Sequence, residues 1–505
     1  MKHTIYISAL VALLTACSSG SKQVPENAQP INEAAIIFPE YRDITIPYNI
    51  APLNVQIKSI GTAFAAKLSN ATGKEIIATA EGNKVFFDEK EWCELLNESK
   101  GQTLTISLYA ERADKWMALQ PYTIKVAEEP IDSFLSYRLI EPSYELYRQL
   151  GLYQRNLTNF EEFAIYENNN EFSDQDNHCI NCHNYQAYNT SNMLFHVRGS
   201  HGGTIFVQNG KAIKMDMRAD SILANSVYPT WHPTEAQVIF SSNNTGQVFH
   251  LNNRDKVEVV DYSSDLIHYN VETHEIGNIL RTKEYLETFP HWAPDGRTIY
   301  FCRAYTPQLA AGPDSTRADR VSPIYDSLRY DVMSLKYDFE SRTYDSLRTE
   351  VACAAVGKSA AVPRISPDGR YLLFTVGNYG QFHIWHSDAD LYVKDIHTGT
   401  IRRLDNASAT GPDSYHAWSS NGRWLVVASR RDDGSYSRPY IAYFDKEGND
   451  HKAFLLPVRD PEYHIHRMKS YNVPEFSRNA VQTTPESLKE VIYNDGATQK
   501  VVYKE

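Results

Sequence analysis

Basic residues are in short supply. Lys and Arg number 50 against 62 Asp and Glu in 505 residues, a formal net charge of -12. Nucleic-acid binding needs a basic face to neutralise phosphates, so that class of partner is excluded. Long apolar runs are missing as well. A single brief stretch at the N-terminus qualifies, and it is shorter than the about 20 residues a membrane-spanning helix requires. No Gly-x-Ser-x-Gly elbow occurs and no long α/β segment closes the chain, which removes a common hydrolase arrangement. Cysteine is limited to six residues. Tyrosine, by contrast, is plentiful at 33 residues, with aromatics at 12%, a composition that leans towards β structure. The length exceeds what one ordinary core holds, so two or more domains are expected.

The chain opens Met1-Lys2-His3, then an apolar run from Ile5 to Leu14, then Thr15-Ala16-Cys17. A short positive start, a brief apolar stretch and small residues before a cut describe a secretory signal over 1–16. Leu14-Thr15-Ala16-Cys17 resembles the bacterial lipobox, which implies a lipid on the Cys17 thiol. Residues 17–37, polar and with Pro25 and Pro30, suit a flexible tether. The resemblance implies a protein anchored to the outer membrane of a Gram-negative envelope.

Residues 38–129 alternate apolar and polar, as in Thr103-Leu104-Thr105-Ile106-Ser107-Leu108, with turns such as Ala71-Thr72-Gly73-Lys74 between runs. An all-β fold is expected throughout, starting here with a small sandwich of immunoglobulin-like architecture. Residues 130–190 read as a connecting segment, with a short helix capped by Ser143 and ended by Gly151.

Four later stretches line up: Tyr228-Pro229-Thr230-Trp231, Phe289-Pro290-His291-Trp292, Val362-Pro363-Arg364-Ile365 and Tyr415-His416-Ala417-Trp418. The second to fourth continue into Asp295-Gly296-Arg297, Asp368-Gly369-Arg370 and Asn421-Gly422-Arg423, and each then enters an apolar strand. Asp-Gly or Asn-Gly supplies the positive φ of a tight reversal, so each copy is a hairpin. Two hairpins make one four-stranded blade. The Pro-Asp-Gly-Arg hairpin resembles the WD40-like repeat of TolB-type propellers. That resemblance covers roughly 191–505 and implies six blades. Met193 to Met217 and Phe134 to Tyr166 are the candidates for the two blades without a sharp repeat, and Tyr463 to Tyr471 for an outer closing strand.

One motif carries chemistry: Cys179-Ile180-Asn181-Cys182-His183, preceded by His178. This is the c-type haem attachment pattern, two thiols to bond the porphyrin and an adjoining imidazole for the iron. A chain of this composition would contain it by accident roughly 0.002 times. The chain resembles envelope lipoproteins that pair this motif with a TolB-like propeller, and the expected cofactor is one haem c. A cytochrome c domain would wrap the haem in helices, whereas strand-like text follows almost at once here. Met193, His196, His201, Met215 and Met217 are the candidate sixth ligands. Two rival readings stand beside haem: a disulfide between Cys179 and Cys182, and a zinc site using His178, Cys179, Cys182 and His183.

Cys302 and Cys353 could bridge adjacent blades or stay as packed thiols; Cys93 has no evident partner. Trp231, Trp292 and Trp418 share one repeat position and are expected to pack between blades. Thr230, His291, Arg364 and Ala417 precede them and could face the central channel, His291 and Arg364 towards an anionic ligand. The expected function is electron transfer or redox sensing with a redox or structural envelope partner, an electron carrier rather than an enzyme. The alternative is a haem-free scaffold that binds another envelope protein or a glycan.

Overall fold

The computed structural model describes residues 22–141, 149–168 and 178–505. The expected export signal, Cys17 and most of the helix expected from Ser143 fall outside these residues. Gly151, expected to end that helix, begins the strand Gly151–Asn156 instead.

The N-terminal unit pairs a seven-stranded sheet with a four-stranded one. It starts earlier than expected. Gln29–Ala34 runs parallel to Lys115–Gln120 at a sheet edge, so part of the supposed tether is strand. Pro30 is tolerated there because an edge strand has one unpaired side. The unit also contains a helix, Glu89–Glu98, that the β-rich reading passed over. Its signals are in the sequence: Asp88 caps it by accepting from the Lys90 and Glu91 amides, and Trp92, Leu95 and Leu96 form the buried i, i+3, i+4 stripe.

From Phe134 onwards the described residues form six further sheets, giving a propeller-like fold. Their first strands are β1 (His178–Gln186), β2 (Ser226–Trp231), β3 (Tyr285–Trp292), β4 (Ser359–Ile365), β5 (Asp413–Trp418) and β6 (Ser470–Ser477). Sheets one to five are meanders in which each strand pairs antiparallel with the next in sequence. The sixth combines the two ends of this region: β6 pairs with Phe134–Ile140, followed by Gly151–Asn156 and Glu162–Glu167. Contacts run from β1 to β2 and so on to β6, and β6 touches β1. The inner strands therefore close on themselves.

Two expectations are corrected here. The stretch 130–190 is not a connector, because it supplies three strands of the sixth sheet and then β1. The closing strand is innermost rather than outermost, and Tyr463–His466 is a short helix that precedes it. Tyr471 and Phe476, 1% and 0% exposed, make β6 a core strand. Outer-edge strands come from the C-terminus, where Gln499–Lys500 and Val502–Tyr503 add in parallel to the first and second sheets.

The hairpin glycines take the required backbone, Gly296, Gly369 and Gly422 at φ 64, 75 and 67. The copy that lacks glycine turns on His232, whose Nδ1 accepts from the Thr234 and Glu235 amides at 3.2 and 3.0 Å.

One core joins the N-terminal unit to the fifth and sixth sheets, with Ile46, Leu104 and Trp92 in the same buried cluster as Trp424, Tyr443 and Phe476. Trp424 is fully buried, packs with its ring tilted 4.9 Å from that of Tyr443 and donates from Nε1 to the Pro130 carbonyl at 3.0 Å. Trp424→Ala is expected to cost about 3–5 kcal/mol, chiefly from the cavity, since the Pro130 carbonyl keeps its bond from the Asn421 Nδ2 at 2.7 Å. Urea denaturation of variant and parent checks this; a midpoint shift too small for 1 kcal/mol would show that the two units are not held by this contact.

Candidate functional site

Each inner strand bends at one residue with left-handed backbone: Cys182, Tyr228, Phe289, Val362, Tyr415 and Val473, at φ 54, 50, 53, 53, 49 and 48. The ladder slips register at or next to each of these residues, the mark of a β-bulge. Such φ values are strained for aromatic and β-branched residues. Six repetitions show that the ring, not any one side chain, imposes them. The bulges extend the four-fold repeat to six, adding Cys182-His183-Asn184-Tyr185 and Val473-Pro474-Glu475-Phe476. The haem-type motif thus lies on an inner strand, with Cys182 at the bulge and His183 at the position usually held by proline.

The inner strands enclose a cavity of about 900 Å³, whose lining includes Cys179, Cys182 and His183. Cys179 is buried, 4% exposed, with the Arg138 Nη1 at 3.9 Å from its sulfur; burial pushes its thiol pKa up. Cys182 is half-buried and close enough to Tyr228 and Tyr415 to enter the electrostatics of both hydroxyls. Neither thiol is bridged, so the disulfide reading is not realised. His183 is buried, with its Nε2 3.9 Å from a Glu475 oxygen, and neither ring nitrogen makes a well-formed hydrogen bond. Burial, with help from the Arg138 charge and against the nearby Ser136 backbone, lowers its pKa to about 4. The imidazole is neutral at pH 7, the form that ligates metals.

These residues fit a covalent haem in three respects: free thiols, a neutral imidazole without a well-formed hydrogen bond, and a shared cavity. The backbone between them is strand with a bulge. The zinc reading finds no support, since among the described residues no three His, Cys, Asp or Glu side chains converge on a metal-ion site. His178 faces elsewhere, its Nε2 3.1 Å from the Tyr166 hydroxyl.

The five candidate sixth ligands do not line the cavity. Met193 is buried in one inter-sheet core, Met215 and Met217 in another. His196 is held by Thr204 at 2.8 Å from its Nδ1, and His201 by Asp495 at 2.7 Å. They are set back from the channel, because they sit on the outer strands of the first sheet, the loop between two of them, or just past its fourth strand. Besides His183, the histidines that line the cavity are His291 and His416. His416 was not singled out from the sequence; its place in the repeat, matching His183, was the available signal.

One residue per inner strand forms a belt after the bulge: Asn184, Thr230, His291, Arg364, Ala417 and Glu475, all on the cavity wall. His291 and Arg364 are among them, as the repeat register suggested. Glu475 was missed because its strand lacks the Asp-Gly hairpin. Its Oε1 accepts from the Asn184 Nδ2 at 2.9 Å and the Tyr185 amide at 3.2 Å. Burial raises its pKa to about 8, against those two bonds and the Arg364 charge. A carboxyl with a raised folded pKa keeps its proton in the native state while the unfolded chain releases it. Stability from this group is therefore lost as pH rises from about 4.5 to about 8. Glu475→Gln mimics the protonated form. It is expected to be neutral at pH 5 and to stabilise at pH 9, by on the order of 2 kcal/mol after allowance for its contact with cavity water. Thermal melts at both pH values check this; an equal shift at each would refute the raised pKa.

Trp231, Trp292 and Trp418 are 3–4% exposed and packed in inter-sheet cores, and the Trp418 Nε1 donates to the Arg364 carbonyl at 3.0 Å. Cys302 and Cys353 are buried and unbridged, and Cys93 is exposed on its helix.

No family model matches the chain, and no curated protein matches it. Among solved structures, an oligogalacturonate lyase in complex with manganese is similar at 13% identity, covering 63% of this chain and 84% of that one, TM-score 0.33. The oligogalacturonate lyase of Vibrio parahaemolyticus is similar at 11% identity over 64% and 86%, TM-score 0.33. Prolyl oligopeptidase B of Galerina marginata is similar at 10% over 63% and 44%, TM-score 0.36. These are propeller-type proteins. Likeness at this level says nothing of activity.

Proposed function

We propose that this is a lipid-anchored envelope protein that carries one haem c on a six-bladed, TolB-like propeller, with an immunoglobulin-like sandwich as its N-terminal spacer, and that it transfers electrons or senses redox state. When bound, the haem supplies a one-electron couple. Cys179 and Cys182 hold it covalently, and His183, kept neutral by burial, offers its lone pair to the iron. Cys17 bears the lipid, on a Gram-negative outer membrane, and a second envelope protein is the redox partner. Among the described residues no helix is long and apolar enough to cross a membrane.

The observation that carries the reading is that all three motif residues line one cavity with free thiols and an imidazole that makes no well-formed hydrogen bond. The test is the absorption spectrum of protein made with the haem-attachment machinery. A Soret band that survives acid-acetone extraction is expected; protein without one would leave the second reading, a haem-free scaffold that binds an envelope protein or a glycan. One observation favours that second reading: the bulge at Cys182 has the same backbone as five residues that carry no thiol.

A further inference from the structure

On the opposite side of the ring from Cys182, β4 carries Arg364, flanked in the belt by His291 of β3 and Ala417 of β5. We propose that Arg364 and His291 form a binding site for a carboxylate inside the channel.

Arg364 lines the cavity, and its one hydrogen bond to a described residue runs from Nη1 to the carbonyl of its own neighbour, Pro363, at 2.9 Å. No ion pair with a described residue reaches it. A guanidinium drawn out of bulk water is expected to have an anionic partner, because an unpaired charge there is costly. Glu475 is the acid in the same belt and its charge acts on Arg364, but its Oε1 is engaged by Asn184 and the Tyr185 amide and the two side chains form no ion pair. Behind the belt lies His416, 3% exposed and on the cavity wall, whose ring nitrogens approach the Leu373 and Val362 backbone without a well-formed hydrogen bond.

The charge count selects the ligand. His291 is held neutral, chiefly by burial and then by the Arg364 charge, so the site offers one positive charge and an imidazole. That matches a monoanion better than a phosphate dianion. The free edge of a guanidinium is a planar fork that fits the two oxygens of a carboxylate, a geometry lysine cannot copy.

The site shares its cavity with the residues proposed to hold haem but does not rest on that reading, so the test uses the full chain prepared both with and without the haem-attachment machinery. Isothermal titration with formate, acetate and inorganic phosphate should show saturable binding of a carboxylate by at least one preparation, with phosphate weaker. Arg364→Gln should weaken it at least tenfold and Arg364→Lys at least threefold, the lysine variant guarding against loss of fold in the first. Absence of saturable formate or acetate binding in both preparations overturns the proposal. So does phosphate binding more tightly, or either variant that melts like the parent and binds equally well.

Discussion

A chain that stops at Lys469 is expected not to fold. That truncation removes β6 alone among the inner strands, together with the tail behind it. β6 pairs with Phe134–Ile140 along the length of that strand and places Tyr471 and Phe476 in the core shared with the N-terminal unit. Loss of two buried aromatics costs about 3–5 kcal/mol each, against a total stability of about 5–15 kcal/mol for a folded domain. It also leaves Phe134–Ile140 with an unpaired edge facing the channel, and opens the contacts of β6 with β5 and β1. A chain that stops at Thr483 serves as control. It keeps β6 but loses the helix Pro485–Tyr493, with buried Leu488 and Ile492, and the two edge strands. Lys214, whose ammonium is bound by the Ile492 carbonyl and Asp495, regains water when that cover goes, so its charge is not stranded. The control should melt cooperatively at lower temperature, and the shorter chain should show no cooperative melt and rapid proteolysis. A cooperative melt from the chain ending at Lys469 would mean that the ring closes elsewhere.

The same strand shows what the sequence could and could not disclose. Four inner strands were readable because each carries at least two of three features, a proline, an aromatic and an Asp-Gly or Asn-Gly turn, and each feature has a local physical job. The first and sixth were hidden for opposite reasons. In β1 the proline position holds His183 and the bulge holds Cys182, so a chemical motif overwrote the repeat. In β6 Val473-Pro474 is intact but no hairpin follows, because the partner strand, Phe134–Ile140, is more than 300 residues away in sequence. Local periodicity cannot report a pairing of that range. The sixth-ligand candidates failed similarly, being chosen by proximity along the chain, whereas the pleat and the ring decide which side chains meet. His416, far in sequence from His183, shares its repeat position and its cavity. Gln29–Ala34 was lost to the tether because an edge strand can be polar and still pair.

Replacement of Cys179 and Cys182 together by serine is expected to abolish covalent haem while leaving the fold standing. In protein matured with the attachment machinery, the Soret band retained under denaturing conditions and the thioether-linked mass increment should fall to background. Either single replacement can leave at most one thioether. Stability should move far less. The Cys182 position accepts Tyr, Phe or Val in the other inner strands, so its backbone owes nothing to sulfur. At Cys179 the sulfur already approaches the Ile180 carbonyl at 3.8 Å and Arg138 at 3.9 Å, and a serine hydroxyl can engage the same groups. A cost of about 1–2 kcal/mol for the pair is expected. The contrast is what makes the test decisive. Complete loss of colour with a nearly unchanged urea midpoint assigns the thiols to the cofactor. Loss of both together would instead make them part of the core between the first and sixth sheets. Parent protein that shows neither the band nor the mass increment would remove haem from the account. The cavity would then owe its character to the belt of Arg364, His291 and Glu475.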